Sequence, residues 1–174
     1  MSFFKRLFGG KKSTHVPLAE SVGAPQEGGR KKIAYDPELV QKLTDDHKAL
    51  FQLYTDICNA SNNGKYAIIP ELLADLKLAF QTHVMLENVK FYVYLQQHIA
   101  DDSEMASFLS DIRKEMDGIA RTLVRFVSTY SNINNFNEEK IDSFKKELAV
   151  IGNVLTKRVK VEEKKLYTLY LPEY

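Results

Sequence analysis

Four stretches of the chain place apolar residues at alternating steps of three and four, the spacing that gathers side chains on one face of an α-helix. The first carries Leu39, Leu43, His47, Leu50, Tyr54 and Ile57. The second carries Leu73, Leu76, Phe80, His83, Glu87 and then Phe91 or Tyr94. The third carries Met105, Leu109, Ile112, Met116, Ile119, Leu123, Phe126 and Tyr130. The fourth carries Ile141, Phe144, Leu148, Ile151, Leu155, Arg158, Glu162 and then Leu166 or Leu169. The turn residues predict where each helix begins and ends. The first runs from about Pro37 to Ala60, with Asp36 able to cap it and Asn63-Gly64 able to take a left-handed turn after it. The second opens near Pro70 and runs to about His98. The third begins after Asp101, Asp102 or Ser103 and runs to about Tyr130. The fourth is capped by Asn137, with Phe136 and Ile141 placed for a hydrophobic staple, and runs to about Leu169. "YAII" and "FYVYL" are rich in strand formers, but each merges into a helical pattern. Four long helices with short connections predict an all-α fold, an antiparallel up-down four-helix bundle spanning residues 36–174. No sequence repeat stands out.

Three of the four apolar stripes are interrupted near mid-helix by polar residues: His47, His83 with Glu87, and Arg158 with Glu162. An isolated buried charge costs several kcal/mol or more, so these interruptions call for mutual partners or a ligand. Counted from the predicted helix ends, they fall at comparable depths and permit one shared polar layer, with Met116 of the third helix at the same level.

"DDHKALFQLYTDI", "FQTHVMLENVKFYVYL", "IRKEMDGIARTLVRF" and "RVKVEEKKLYTLYLPEY" resemble the four helices of a hemerythrin-type (HHE cation-binding) domain. That resemblance implies a non-haem di-iron centre, held by a histidine from the first helix, His-x-x-x-Glu from the second, a histidine from the third and His-x-x-x-acid from the fourth. His47, His83, Glu87 and Glu162 match this pattern. Met116 and Arg158 stand where the third and fourth helices should offer histidines. Methionine sulfur is a soft ligand, poor for iron in an oxygen-rich site, and arginine stays protonated and repels a cation.

Two readings of the layer follow. In the first, favoured on sequence alone, no metal is bound. Arg158 supplies the positive charge, pairs with Glu87 or Glu162, and one protonated histidine completes the balance. The protein is then a non-catalytic regulatory or interaction module with a degenerate metal site, working through a protein partner. In the second, His47, His83, Glu87 and Glu162 hold one iron or other divalent ion, and the protein is a metal-binding sensor or store. The segment "LAVIGNVLTKRVKVEEKKL" is also similar to the last helix of the regulator of sigma D (AlgQ) family, through Leu148, Ile151, Gly152, Leu155, Arg158 and Glu162. That resemblance implies, as a third option, a transcription regulator that binds a sigma factor.

Composition adjusts this reading at its edges. The net charge of +1 hides a basic beginning: residues 1–34 hold seven lysines and arginines against two glutamates, net +5, and the remainder sums to −4. An acidic body argues against nucleic acid as a partner, because phosphate neutralisation supplies most of that affinity. Residues 1–12 place Phe3, Phe4, Leu7 and Phe8 on one helical stripe beside Lys5 and Arg6, which suits an amphipathic segment on a membrane surface or a partner. Residues 13–35 are rich in glycine and read as a flexible linker. The single cysteine, Cys58, excludes an intrachain disulfide and a thiolate cluster. With no signal peptide or spanning segment visible, the expected location is cytoplasmic, with a possible peripheral place at the inner face of the membrane. His15 and His98 are expected to be solvated, and Tyr92, Tyr94, Tyr167 and Tyr170 to pack with their hydroxyls at the surface. No Gly-rich phosphate loop or nucleophile elbow is present, so no enzymatic activity is expected.

Overall fold

The computed structural model describes residues 32–98, 103–132 and 136–172. Helix α1 spans Leu39–Asn62, and a 3-10 turn at Tyr66–Ile68 leads into α2, Ile69–Leu86. The helical path continues through a π turn at Glu87–Phe91 into α3, Tyr92–His98. Helix α4 spans Ser103–Tyr130 and α5 spans Glu138–Val161. A second π turn, Glu162–Leu166, and a 3-10 turn, Tyr167–Leu169, extend α5. With α3 as the continuation of α2, these are the four helices of the predicted bundle, and no strand occurs among the described residues.

Local signals act much as expected. Asp36 Oδ1 accepts the Glu38 N–H at 3.2 Å and its carbonyl accepts from Leu39, so the cap holds a turn just ahead of the helix. Pro70 lies in the first turn of α2, where a missing N–H costs nothing. Gly64 takes φ +68°, the left-handed conformation that ends α1 cleanly. The Asn137 side chain accepts from the Lys140 N–H at 3.0 Å and caps α5.

The inward stripes form the core. Apart from the half-buried Tyr54, Met105, Ile141 and Leu169, every stripe residue is buried, and Phe91, Tyr94 and Leu166 all turn inward. At one end of the bundle Phe126, Tyr130 and Phe136 pack around the Phe144 ring, which meets Tyr130 edge-on at 4.9 Å. At the other end Leu39 and Leu43 of α1 meet Tyr92, Leu95, Leu166 and Tyr170. The chain joins this end before α1 begins: Ile33 N–H donates to Gln97 at 3.0 Å and the Tyr35 ring stacks on Tyr170 at 5.0 Å. Residues 1–12 and most of 13–35 lie outside the described residues, as does His15.

Gly152 shows how closely α5 approaches α1. A Cβ at this position would collide with the ring and hydroxyl of Tyr54. Glycine therefore sets the depth at which α5 seats against α1, and with it the level of Arg158 and Glu162.

Candidate metal centre

Between the two apolar ends, His47 (2% exposed), His83 (2%), Glu87 (0%), Arg158 (3%) and Glu162 (1%) share one buried layer. All five polar interruptions predicted from the sequence are brought inside. Met116 is buried too, at 5%.

The two histidines face each other through Nε2 atoms 3.3 Å apart. Glu162 Oε2 lies 3.1 Å from His47 Nε2. One donor atom each from His47, His83 and Glu162 lies within 4.8 Å of the other two. The outward nitrogens explain this orientation. His47 Nδ1 lies 2.9 Å from Glu163 Oε1, and His83 Nδ1 points at Asp46 Oδ2 across 3.8 Å. A carboxylate behind Nδ1 is the usual arrangement behind a metal-binding histidine; Glu163 meets His47 at hydrogen-bond distance, whereas Asp46 stays beyond that distance from His83.

Arg158 occupies the other half of the layer. Its Nε pairs with Glu162 Oε1 one turn along the same helix. One terminal nitrogen donates to the Ile112 carbonyl at 3.1 Å and approaches Glu115 at 3.7 Å, and the other donates to Tyr92 Oη at 2.9 Å. Helix α4 thus offers the guanidinium a carbonyl and a carboxylate. Of the two glutamates left open as partners, Arg158 bonds Glu162; Glu87 instead accepts the Tyr167 hydroxyl at 3.0 Å. Reach explains the choice, since Glu162 sits four residues from Arg158 on one helix face.

The buried tyrosines correct a second expectation. Tyr92, Tyr94, Tyr167 and Tyr170 are all at most 5% exposed, and their hydroxyls bond inside the protein. Tyr94 donates to the Leu171 carbonyl at 2.6 Å, and Tyr170 accepts the Asp36 N–H at 3.0 Å. Tyr167 Oη also lies 3.3 Å from His47 Nε2, with its ring stacked on the imidazole. His98 is exposed as expected, with Nδ1 2.7 Å from the Tyr94 carbonyl.

Two related segments build the layer. Residues 83–92 read HVMLENVKFY and residues 158–167 read RVKVEEKKLY, sharing valine, glutamate, lysine and tyrosine at the same places. In each the glutamate opens the π turn and the tyrosine follows it. The extra residue in a π turn advances the next side chain onto the seam, and such turns are frequent at functional sites. Each tyrosine then crosses to the opposite segment: Tyr92 meets Arg158, and Tyr167 meets Glu87. The likeness is a short internal repeat, found once the π turns align it.

Electrostatics divide the layer. Burial pushes Glu87 up to about 8, with the neighbouring Glu162 charge adding to the shift, so Glu87 is held as the neutral acid at neutral pH. Burial raises Glu162 as well, but the His47 hydrogen bond and the Arg158 charge outweigh it and hold it below the usual range. Burial brings His83 down to about 4. Burial also opposes charge on His47, yet its bonds to Glu162 and Glu163 leave it raised. The proton that balances the two glutamates against Arg158 therefore sits on Glu87, before any histidine is counted.

The hemerythrin HHE cation-binding domain model matches residues 38–170. The chain belongs to that family. Comparison with curated proteins gives no match, and neither does comparison with solved structures. The residues fit the family's metal in one position. With bonds of about 2.1 Å, neighbouring ligands on one ion lie roughly 3.0–3.4 Å apart, the range of the spacings from His47 Nε2 to His83 Nε2 and to Glu162 Oε2. Glu87 Oε2 and His83 Nδ1 are buried without a hydrogen-bond partner, which marks a polar set not closed on itself. Arg158 fills the other half of the layer, where its guanidinium repels a second ion.

Asp46, Glu163, Tyr92 and Tyr167 are the site residues that sequence reasoning missed. The spacing Glu-x-x-x-x-Tyr, present after both Glu87 and Glu162, was the available signal.

Proposed function

We propose that this hemerythrin-family bundle is a single-ion metal-binding module with a sensing or regulatory role, in which Arg158 stands in place of a second metal ion. The observation that supports it is the convergence of His47 Nε2, His83 Nε2 and Glu162 Oε2, with each outward nitrogen facing a carboxylate. Arg158 holds one oxygen of Glu162 and leaves the other to the centre. Bound there, an ion ties α1, α2 and α5 together at mid-bundle, so occupancy stabilises the fold by mass action and reports the metal supply. Iron is the first candidate, given two imidazoles and a carboxylate.

The test is metal analysis of full-length protein reconstituted separately with ferrous iron, manganese and zinc. About one ion per chain is expected, with a raised melting temperature, and both are lost in His83→Ala. A chain that retains none of the three overturns the reading.

A second reading has its own support. Arg158 meets Glu162, Tyr92, the Ile112 carbonyl and Glu115 and provides a complete internal cation. The bundle is then a metal-free interaction module for a protein partner or, through residues 1–12, an anionic membrane surface. No described helix is long and apolar enough to cross a membrane. Equal flotation with anionic liposomes of the full chain and of a chain lacking residues 1–12 would remove the membrane arm.

A further inference from the structure

We propose that Tyr167 is the fourth protein ligand of the ion, through its phenolic oxygen, and that Glu87 is the hydrogen-bonding group behind it. This rests on the single-ion reading above. The matched family pattern places Glu87 in the ligand set, yet the three donors that converge are His47, His83 and Glu162. Glu87 stands one step back, with Oε1 3.0 Å from Tyr167 Oη. Tyr167 Oη in turn lies 3.3 Å from His47 Nε2, the same spacing that separates His47 Nε2 from His83 Nε2. His47 Nε2 is thus ringed by a nitrogen, a carboxylate oxygen and a phenolic oxygen, all at the separation of neighbouring ligands.

The backbone holds the phenol there. The π turn at Glu162–Leu166 brings position 167 onto the seam, and the ring is clamped between the stacked His47 imidazole and the edge of Phe91. Its twin, Tyr92, is committed to Arg158. A phenolate is a hard anionic oxygen donor and favours ferric iron over softer ions. On ligation the O–H bond of Tyr167 breaks and an iron–oxygen bond forms in place of an iron–citrate bond; the proton leaves with the released citrate, because Glu87 is already the neutral acid. No electron moves if iron is supplied already oxidised. With two imidazoles, one carboxylate and one phenolate, the site neutralises most of a ferric charge inside an apolar bundle.

The experiment loads full-length protein with ferric citrate, removes unbound iron, and measures iron per chain beside the visible and resonance Raman spectra. A ferric phenolate gives a broad visible charge-transfer band and enhanced tyrosine ring modes, which shift when the protein is grown on ring-deuterated tyrosine. The expected result is the band in the wild type, its loss in Tyr167→Phe, and its retention in Tyr92→Phe. The labelled wild-type spectrum reads ligation without any variant, should Tyr167→Phe fold poorly. Stoichiometric iron without the band overturns the assignment and leaves the single-ion reading standing, as does a band that survives Tyr167→Phe. Failure to hold ferric iron also overturns the assignment, and the single-ion reading falls with it only if ferrous iron, manganese and zinc are refused as well.

Discussion

The segments 83–92 and 158–167 share a backbone course and a spacing, yet they put their glutamates in opposite states. Each has a polar residue, a glutamate four residues on, a π turn and a buried tyrosine. The first position differs. His83 is driven toward its neutral form by burial, so it gives Glu87 no positive partner, and Glu87 rises to about 8. The His47 hydrogen bond and Arg158, which cannot surrender its proton, together keep Glu162 charged. The partners that each buried carboxylate finds thus decide whether it is an acid or an anion, and whether its half of the layer contributes to a centre or replaces a cation.

The strongest way to break this comparison is to remove the guanidinium. Arg158→Met leaves Glu162 buried without its cation, and the expected loss is about 3–5 kcal/mol in urea unfolding of chelator-treated protein. A loss below about 1 kcal/mol would mean that Glu162 takes up a proton freely and that the two segments differ little. A paired exchange sharpens the point. Glu162→Gln should cost roughly 2–4 kcal/mol by stranding Arg158, whereas Glu87→Gln at pH 6 should cost under about 1 kcal/mol, because the amide replaces an acid already neutral. Equal losses would erase the distinction.

The pH dependence of the metal-free protein carries the same contrast. The folded-state pKa of Glu87 is raised, so between its ordinary carboxylate value and about 8 the native state binds more protons than the unfolded state, and stability falls as pH rises through that window. His83 acts oppositely: with its folded value lowered to about 4, stability falls as pH drops from the ordinary histidine range toward 4. The two slopes oppose each other between the ordinary carboxylate and histidine values, so the expected curve is flat-topped at mildly acidic pH and declines through neutrality. From pH 6 to 8 the Glu87 share amounts to about 2 kcal/mol, and Glu87→Gln should remove that much of the alkaline decline in urea melts. A decline of the same size in Glu87→Gln would place the titration elsewhere.

How much of this was legible in the chain depends on the phase of the helix. The stripes from Leu39 to Leu155 keep a period near 3.6, so the four helices, their caps and the five polar interruptions could be read directly. Beyond Glu87 and Glu162 the π turns add a residue, and the choice between Phe91 and Tyr94, or Leu166 and Leu169, had no answer in an ideal helix. Tyr92 and Tyr167 fell off the predicted face for the same reason. Asp46 and Glu163 were hidden differently. Each adjoins a seam residue and points away from the core, and only the outward reach of an imidazole Nδ1 brings it into the site. The partner of Arg158 was ambiguous because face periodicity does not say whether a long side chain bonds along its own helix or across to the next.

The smallest expected effect separates the two tyrosines. Tyr92 accepts from Arg158 at 2.9 Å, while Tyr167 donates to Glu87 at 3.0 Å, so each loses one buried hydrogen bond on conversion to phenylalanine. Arg158 keeps Glu162 and the Ile112 carbonyl when Tyr92 is removed, so Tyr92→Phe should cost only about 1 kcal/mol in metal-free protein. The metal-loaded protein should show the same difference, because Tyr92 touches no donor of the centre. Tyr167→Phe should behave otherwise, with a larger loss in iron-loaded protein than in metal-free protein. If both variants show the same difference in both states, the two crossing tyrosines serve packing alone, and the internal repeat is a structural device rather than half of a metal centre.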